Sequence, residues 1–131
     1  MGKRKILIVD DDEKVRKIIE EYAIFKEYDV AHATNGIQAI DYCKNNKCDV
    51  VTMDVVMPHL DGFTACREIR KISDVPIIMI SARMDNFDKI HGYEVGADDY
   101  MVKPVSPKIL FLKIEAIFKR MNMANINHNE L

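Results

Sequence analysis

Cysteine, long apolar runs and excess charge of one sign are all scarce in this chain. It holds three cysteines, Cys43, Cys48 and Cys66, in 131 residues. Their odd number and irregular spacing fit neither a disulfide framework nor a zinc site, so free thiols in a reducing cytosol are expected. No apolar run approaches the ~20 residues that cross a bilayer, and the start lacks the apolar core of a signal peptide. A cytoplasmic protein without membrane contact is expected. The formal net charge is -2, which gives no global attraction to nucleic acid or to an anionic surface.

The rest of the composition is that of a soluble globular chain, 48% apolar and 31% charged, long enough to bury one domain core. Strand-like runs alternate with segments of helical period. KILIV (5–9) reads as a buried strand. From Glu13 to Lys26, the spacing of Val15, Ile18, Ile19 and Tyr22 predicts an amphipathic helix. DVAHAT (29–34) is a weaker strand, and Ile37, Ile40 and Cys43 carry the next helix. DVVTM (49–53) and VPIIMIS (75–81) are strands, with a helix from about Phe63 to Lys71 between them. A helix near Phe87 to Val95, the strand DYMV (99–102) and a helix from Pro107 to about Arg120 follow. Five βα units with short connections imply a parallel sheet covered on both faces. Ligands of such sheets bind outside the carboxyl ends of the strands.

The residues at those ends are informative. Asp10, Asp11 and Asp12 follow the first strand, Asp54 the third, Ser81 ends the fourth, and Lys103 with Pro104 follows the fifth. Polarity at a strand end explains any one of them, but not the set. Adjacent carboxylates repel unless a cation neutralises them. Asp10, Asp11 and Asp54 carry three negative charges; a divalent ion and Lys103 carry three positive ones. Hard oxygen ligands with room for waters suit Mg²⁺, for which Mn²⁺ can substitute. Asp54 would then be a carboxylate poised beside positive charge to receive a phosphoryl group. Asp12 reads as a helix cap, and Asp61 and Gly62 as turn and cap chemistry. Met53, Met79 and Met101 read as core, and His59 as a solvent-facing loop residue.

Together, VDDD, MDVVMP..DG, MISA and DDYMVKP resemble the receiver domain of bacterial two-component response regulators, from about Lys5 to Arg120. The resemblance implies a flavodoxin-like (CheY-like) five-stranded parallel sheet, order 2-1-3-4-5, with helices on both faces. It implies Asp54 as phospho-acceptor, with Asp10, Asp11 and the Val56 backbone carbonyl as metal ligands. Ser81 matches the switch hydroxyl, Tyr100 the switch aromatic and Lys103 the phosphate-contacting lysine. The Lys103–Pro104 bond is expected to be cis. The implied partner is a sensor histidine kinase, and the only turnover expected is of the domain's own phosphoryl group.

The segment GYEVGADDYMVKPVSPKIL resembles the OmpR/PhoB-type receivers, which dimerise through the fourth helix, fifth strand and fifth helix. Leu110, Ile114, Ile117 and Met121 form the core stripe of the last helix, whereas Leu112 points away. Lys89, Ile90, Tyr93, Asp98, Asp99, Leu112, Lys113 and Arg120 are the expected dimer surface. Ile109 stands where that subfamily has an acid, and Val105 where it has phenylalanine. Residues 1–121 are assigned to the receiver and 122–131 to a polar linker or tail. DNA would be bound only through an effector domain that this chain lacks.

Other readings remain. The chain could be a natural single-domain receiver acting through protein contacts, or a receiver-shaped module that is never phosphorylated. ILIVDDD also contains the Asp-x-Asp of haloacid-dehalogenase-type phosphatases, with Asp10 as nucleophile and Asp12 as general acid. PIIMIS and Asp98–Asp99 would supply its other motifs. That reading leaves Asp54 without a role.

Overall fold

Buried β-branched runs and capped amphipathic segments alternate along the whole backbone. The computed structural model describes residues 2–82 and 85–130. The order is β1 (Lys5–Val9), α1 (Glu13–Phe25), β2 (Asp29–Ala33), α2 (Gly36–Asn45), β3 (Val50–Asp54), α3 (Gly62–Arg70), β4 (Ile77–Ser81), α4 (Asn86–Glu94), β5 (Asp99–Val102) and α5 (Pro107–Glu130). The strands form one parallel sheet in the order β2-β1-β3-β4-β5. This is the expected flavodoxin-like topology.

Both faces of the sheet are covered, which explains why the central strands read as continuous apolar runs. Leu7, Val9, Val51, Met53, Ile77 and Met79 face one core with Ala39 of α2 and Ala65, Cys66 and Ile69 of α3. Ile6, Ile8, Val50, Ile78, Ile80 and Met101 face the other, with Ile19 and Ala23 of α1 and Leu110, Phe111, Ile114, Ile117 and Phe118 of α5. Asp12, Asn35, Asp61 and Asp85 cap α1 to α4 by accepting a backbone N–H of the first turn.

Several sequence expectations need correction. Ile18 is not on the core face of α1: it is 49% exposed, and Ala23 takes its place with Ile19. Ile37 is also exposed, with Ala39 buried instead. Met121 is exposed, because α5 has passed the edge of the sheet there; the buried stripe is completed by Phe111 and Phe118. The backbone stays helical to Glu130, well past the boundary expected near Arg120. Asp54 is the last residue of β3 and not the first of the loop, and β4 starts at Ile77, after Pro76.

Strand order places the site. The chain leaves β1 for β2 on one side and returns to β3 on the other, so the carboxyl ends of β1 and β3 flank a switch point.

Candidate functional site

Asp10 follows the last residue of β1, its N–H donating to the Ala33 carbonyl at 3.1 Å. Asp54 ends β3 in register with Ile80 of β4. Asp10 and Asp54 are 3% and 4% exposed, while Asp11 faces solvent. One carboxylate oxygen from each of Asp10, Asp11 and Asp54 lies within 4.8 Å of the others. Lys103, just past β5, reaches back across the sheet edge: its Nζ is 3.0 Å from Asp10 Oδ2 and 3.4 Å from Asp54 Oδ1. The three aspartates of the triplet therefore differ in task. Asp10 is buried and ion-paired, and also accepts the Asp12 N–H at 2.9 Å. Asp11 projects an open oxygen. Asp12 caps α1 by accepting the Lys14 N–H at 2.9 Å.

The electrostatics follow from burial and sign. Burial pushes the Asp54 carboxyl up to about 6; the charge on Asp10 adds to this, Lys103 opposes it, and Asp11 adds a little more. Burial pulls Lys103 down, but its hydrogen bond to Asp10 and the charges of Asp54 and Asp10 outweigh that and hold it above its ordinary value. The carboxylates outnumber the ammonium, so the cluster favours further positive charge. Oxygen donors of this kind, two of them fixed by burial, fit a small hard divalent cation.

Ser81, buried at the end of β4, is tied to the lysine through its backbone: the Lys103 N–H donates to the Ser81 carbonyl at 2.7 Å. The Lys103–Pro104 bond is cis, as expected. Val56 lies two residues beyond Asp54 with its side chain 73% exposed. Tyr100 is 4% exposed and packs in the core with Val95 and Cys66. A Cβ on Gly92 of α4 would stand 3.2 Å from the Tyr100 ring, which locks the ring and helix in close contact.

Ile90, Tyr93 and Leu112 are exposed, as a contact surface needs, and Arg120 also faces solvent. The charges around them are partly engaged within the chain. Asp99 pairs with Lys113 at 3.2 Å, and Asp98 accepts from Arg70 and from the Ile77 N–H, each at 2.8 Å. Lys89 lies on α4, and Ile109 on α5 is exposed, leaving no acid at that position.

Arg16 and Arg70 escaped the sequence reading, and Gly62 was read only as a turn. Arg16 Nη1 donates to the Asp10 carbonyl at 2.6 Å and holds the triplet in place. Gly62 donates its N–H to Val55 at 2.8 Å, and a Cβ there would collide with the Asp54 carbonyl. The DG pair signalled a turn, but this close approach is visible only in three dimensions. Arg70 bonds the carbonyls of Gly96 (2.8 Å) and Val75 (2.5 Å) besides Asp98, linking α3 to the entries of β4 and β5. A lone arginine bonding distant backbone leaves no motif.

A flavodoxin-like sheet with two buried carboxylates, an open one and a lysine at its switch point defines the receiver class of signalling domain. The chain belongs to the response regulator receiver domain family, whose sequence profile matches residues 6–115. It is 45% identical over 98% of its length to a "Probable transcriptional regulator ycf27" of Porphyridium aerugineum, covering 54% of that protein. It thus spans about half the length of the curated relatives it matches. Among solved structures, the Francisella response regulator 1452 receiver domain is similar (TM-score 0.85, 32% identity, 91% of this chain and 99% of that one). So is response regulator DrrB, a Thermotoga maritima OmpR/PhoB homolog (TM-score 0.83, 28% identity, 92% of this chain and 54% of that one). The protein is thus a receiver domain of two-component signalling. Among the described residues, no helix is long and apolar enough to cross a membrane.

Proposed function

We propose that Asp54 accepts a phosphoryl group from the phosphohistidine of a sensor histidine kinase. The observation that carries this reading is a single nucleophilic carboxylate, 4% exposed at the switch point, held 3.4 Å from a lysine and beside two further acids. An Asp54 oxygen attacks phosphorus, the P–N bond to the imidazole breaks, and its electron pair stays on the imidazole nitrogen. Lys103 stands where it can balance charge on the transferred oxygens, and its ion pair with Asp10 keeps it oriented. Asp10, Asp11, Asp54 and the Val56 carbonyl would hold Mg²⁺, which when bound neutralises phosphoryl oxygens. Water later attacks the acyl phosphate, so the domain turns over only its own phosphoryl group.

The output is a change of association, in the cytoplasm, through the surface of α4, β5 and α5. The similarity to a protein named as a probable transcriptional regulator supports control of a DNA-binding effector in a longer protein.

Intact mass spectrometry with Mg²⁺ and acetyl phosphate tests the acceptor. The mass should rise by one phosphoryl group, and Asp54→Asn should abolish the gain. Labelling that survives Asp54→Asn but is lost in Asp10→Asn would instead mark the phosphatase-type reading, with Asp10 as nucleophile.

A further inference from the structure

β3 reads VVTMD, and Thr52 is the polar residue in its apolar interior. Alternation along the strand puts Val50, Thr52 and Asp54 on one face. It is the face that α1 and α5 cover, since Val50 packs there with Ile6, Ile8, Ile78 and Ile80. Thr52 therefore lies one pleat, roughly 6.6 Å along the strand, beneath Asp54. Its neighbours in register are Ile8 of β1 and Ile78 of β4, both fully buried. Thr52 itself is 1% exposed, and among the described residues its Oγ1 meets no hydrogen-bond partner. The Tyr42 hydroxyl is also unpaired, but Tyr42 packs on the opposite face of the sheet. A buried hydroxyl destabilises any state in which it stays unpaired, and valine would fill the same volume without that cost. Native interiors hold few such groups, which makes one beneath a phosphoryl site informative.

We propose that Thr52 is a positioning residue of the phosphoryl site. Its hydroxyl lacks a partner in the resting state and donates to the Asp54 carboxyl once that group carries a phosphoryl. The inference rests on the reading of Asp54 as the acceptor. On this face the polar groups one pleat above Thr52 are the carboxyls of Asp54 and Asp10. Asp10 is already engaged, by Lys103 at 3.0 Å and by the Asp12 N–H at 2.9 Å. In the resting state Lys103 holds Asp54 Oδ1 from 3.4 Å, on the rim side. The same lysine turns to phosphoryl oxygens once they are present, and the acyl oxygen of Asp54 then accepts from below. A hydroxyl suits this task because it offers one rotatable proton and no charge. It therefore does not compete with Lys103 or with a cation for the carboxylate. A hydrogen bond made in only one of two states shifts the balance toward that state by its own worth. Thr52 thus raises the preference of the site for a phosphoryl group without touching that group.

Urea unfolding and isothermal titration calorimetry of wild type, Thr52→Val and Thr52→Ser are the test. Without Mg²⁺ or fluoride, Thr52→Val should unfold at a higher urea midpoint than wild type. In excess Mg²⁺ it should bind the phosphoryl mimic beryllium fluoride about fivefold more weakly, the worth of one ordinary hydrogen bond. Its affinity for Mg²⁺ alone should be unchanged. Thr52→Ser keeps the hydroxyl and loses a buried methyl, so its urea midpoint should fall while its beryllium fluoride affinity matches wild type. A merely structural role would move stability and affinity together; the proposal requires that they part. A Thr52→Val protein that is no more stable than wild type, or that binds beryllium fluoride equally well, overturns the proposal. So does a parallel loss of Mg²⁺ affinity. Wild-type protein that binds no beryllium fluoride would instead overturn the acceptor reading on which the proposal rests.

Discussion

Asp54 sits where its ionised form is least favoured, and this has a measurable cost. The folded-state value near 6 lies above the ordinary 3.8, so the protonated form favours the fold. That contribution is complete below about pH 3.8 and is lost as pH rises through about 6. At pH 7, without metal, the ionised carboxylate opposes folding. Asp54→Asn should therefore stabilise the metal-free protein at pH 7 by on the order of 1–3 kcal/mol, a gap that shrinks toward pH 4. Urea unfolding of both proteins at the two pH values checks this; an Asn variant equally stable or less stable at pH 7 would contradict it. Asp10, held directly by Lys103 at 3.0 Å, is the better neutralised of the two buried acids. On the proposed reading, Asp54 is the carboxylate left to meet a phosphoryl donor and a cation.

Between elements, two contacts hold the site that no sequence motif announces. The start of α3 is pressed against the end of β3 at Gly62, where any Cβ meets the Asp54 carbonyl. Gly62→Ala should shift Asp54 out of place and cost roughly 2 kcal/mol or more. Thermal unfolding and the rate of acetyl-phosphate labelling should both suffer, and a variant normal in both would refute the close approach. Arg70 acts at the opposite edge. Its guanidinium satisfies Gly96, Val75 and Asp98, and its side chain is 21% exposed. Arg70→Met should leave these acceptors short of a donor and cost roughly 2–3 kcal/mol. The loss should appear as a lower urea midpoint with an unchanged slope. Labelling of Asp54 should persist in folded protein, because the edge affected is remote from the phosphoryl site.

For the whole molecule, the question is how a change at the switch point reaches a partner. Tyr100 and Gly92 bind β5 to α4, so a shift of the β4 or β5 end moves the exposed Ile90 and Tyr93. On the proposed reading, phosphorylation biases a two-state surface and builds no new one. Beryllium fluoride with Mg²⁺ should promote a dimer through Ile90, Tyr93 and Leu112, and Leu112→Asp should weaken it at least tenfold. Sedimentation across micromolar concentrations measures this. The idea fails if the mimic leaves the protein monomeric, or if the Asp variant dimerises equally well. With Asp98 committed to Arg70, Asp99 to Lys113 and no acid at position 109, few cross-dimer ion pairs are available, which points to a weak dimer held mainly by apolar contact.

The alternating strands and helices were legible in the residues because spacing at periods of about two and 3.6 is a local property. The acids, the hydroxyl and the lysine at the strand ends were legible too, because a parallel sheet brings every such end to one edge. Asp12 and Asp61 announced their caps for the same local reason. Tertiary packing decided what depends on distant partners. It sorted three adjacent aspartates into a buried ion pair, an exposed acid and a cap, because only closure of the sheet brings Lys103 and Asp54 to Asp10. It turned Ile18 and Met121 outward, since a helix has more apolar positions than the sheet beneath it can cover. It brought Arg70 to three acceptors and Gly62 against Asp54, contacts between groups whose proximity no local pattern encodes.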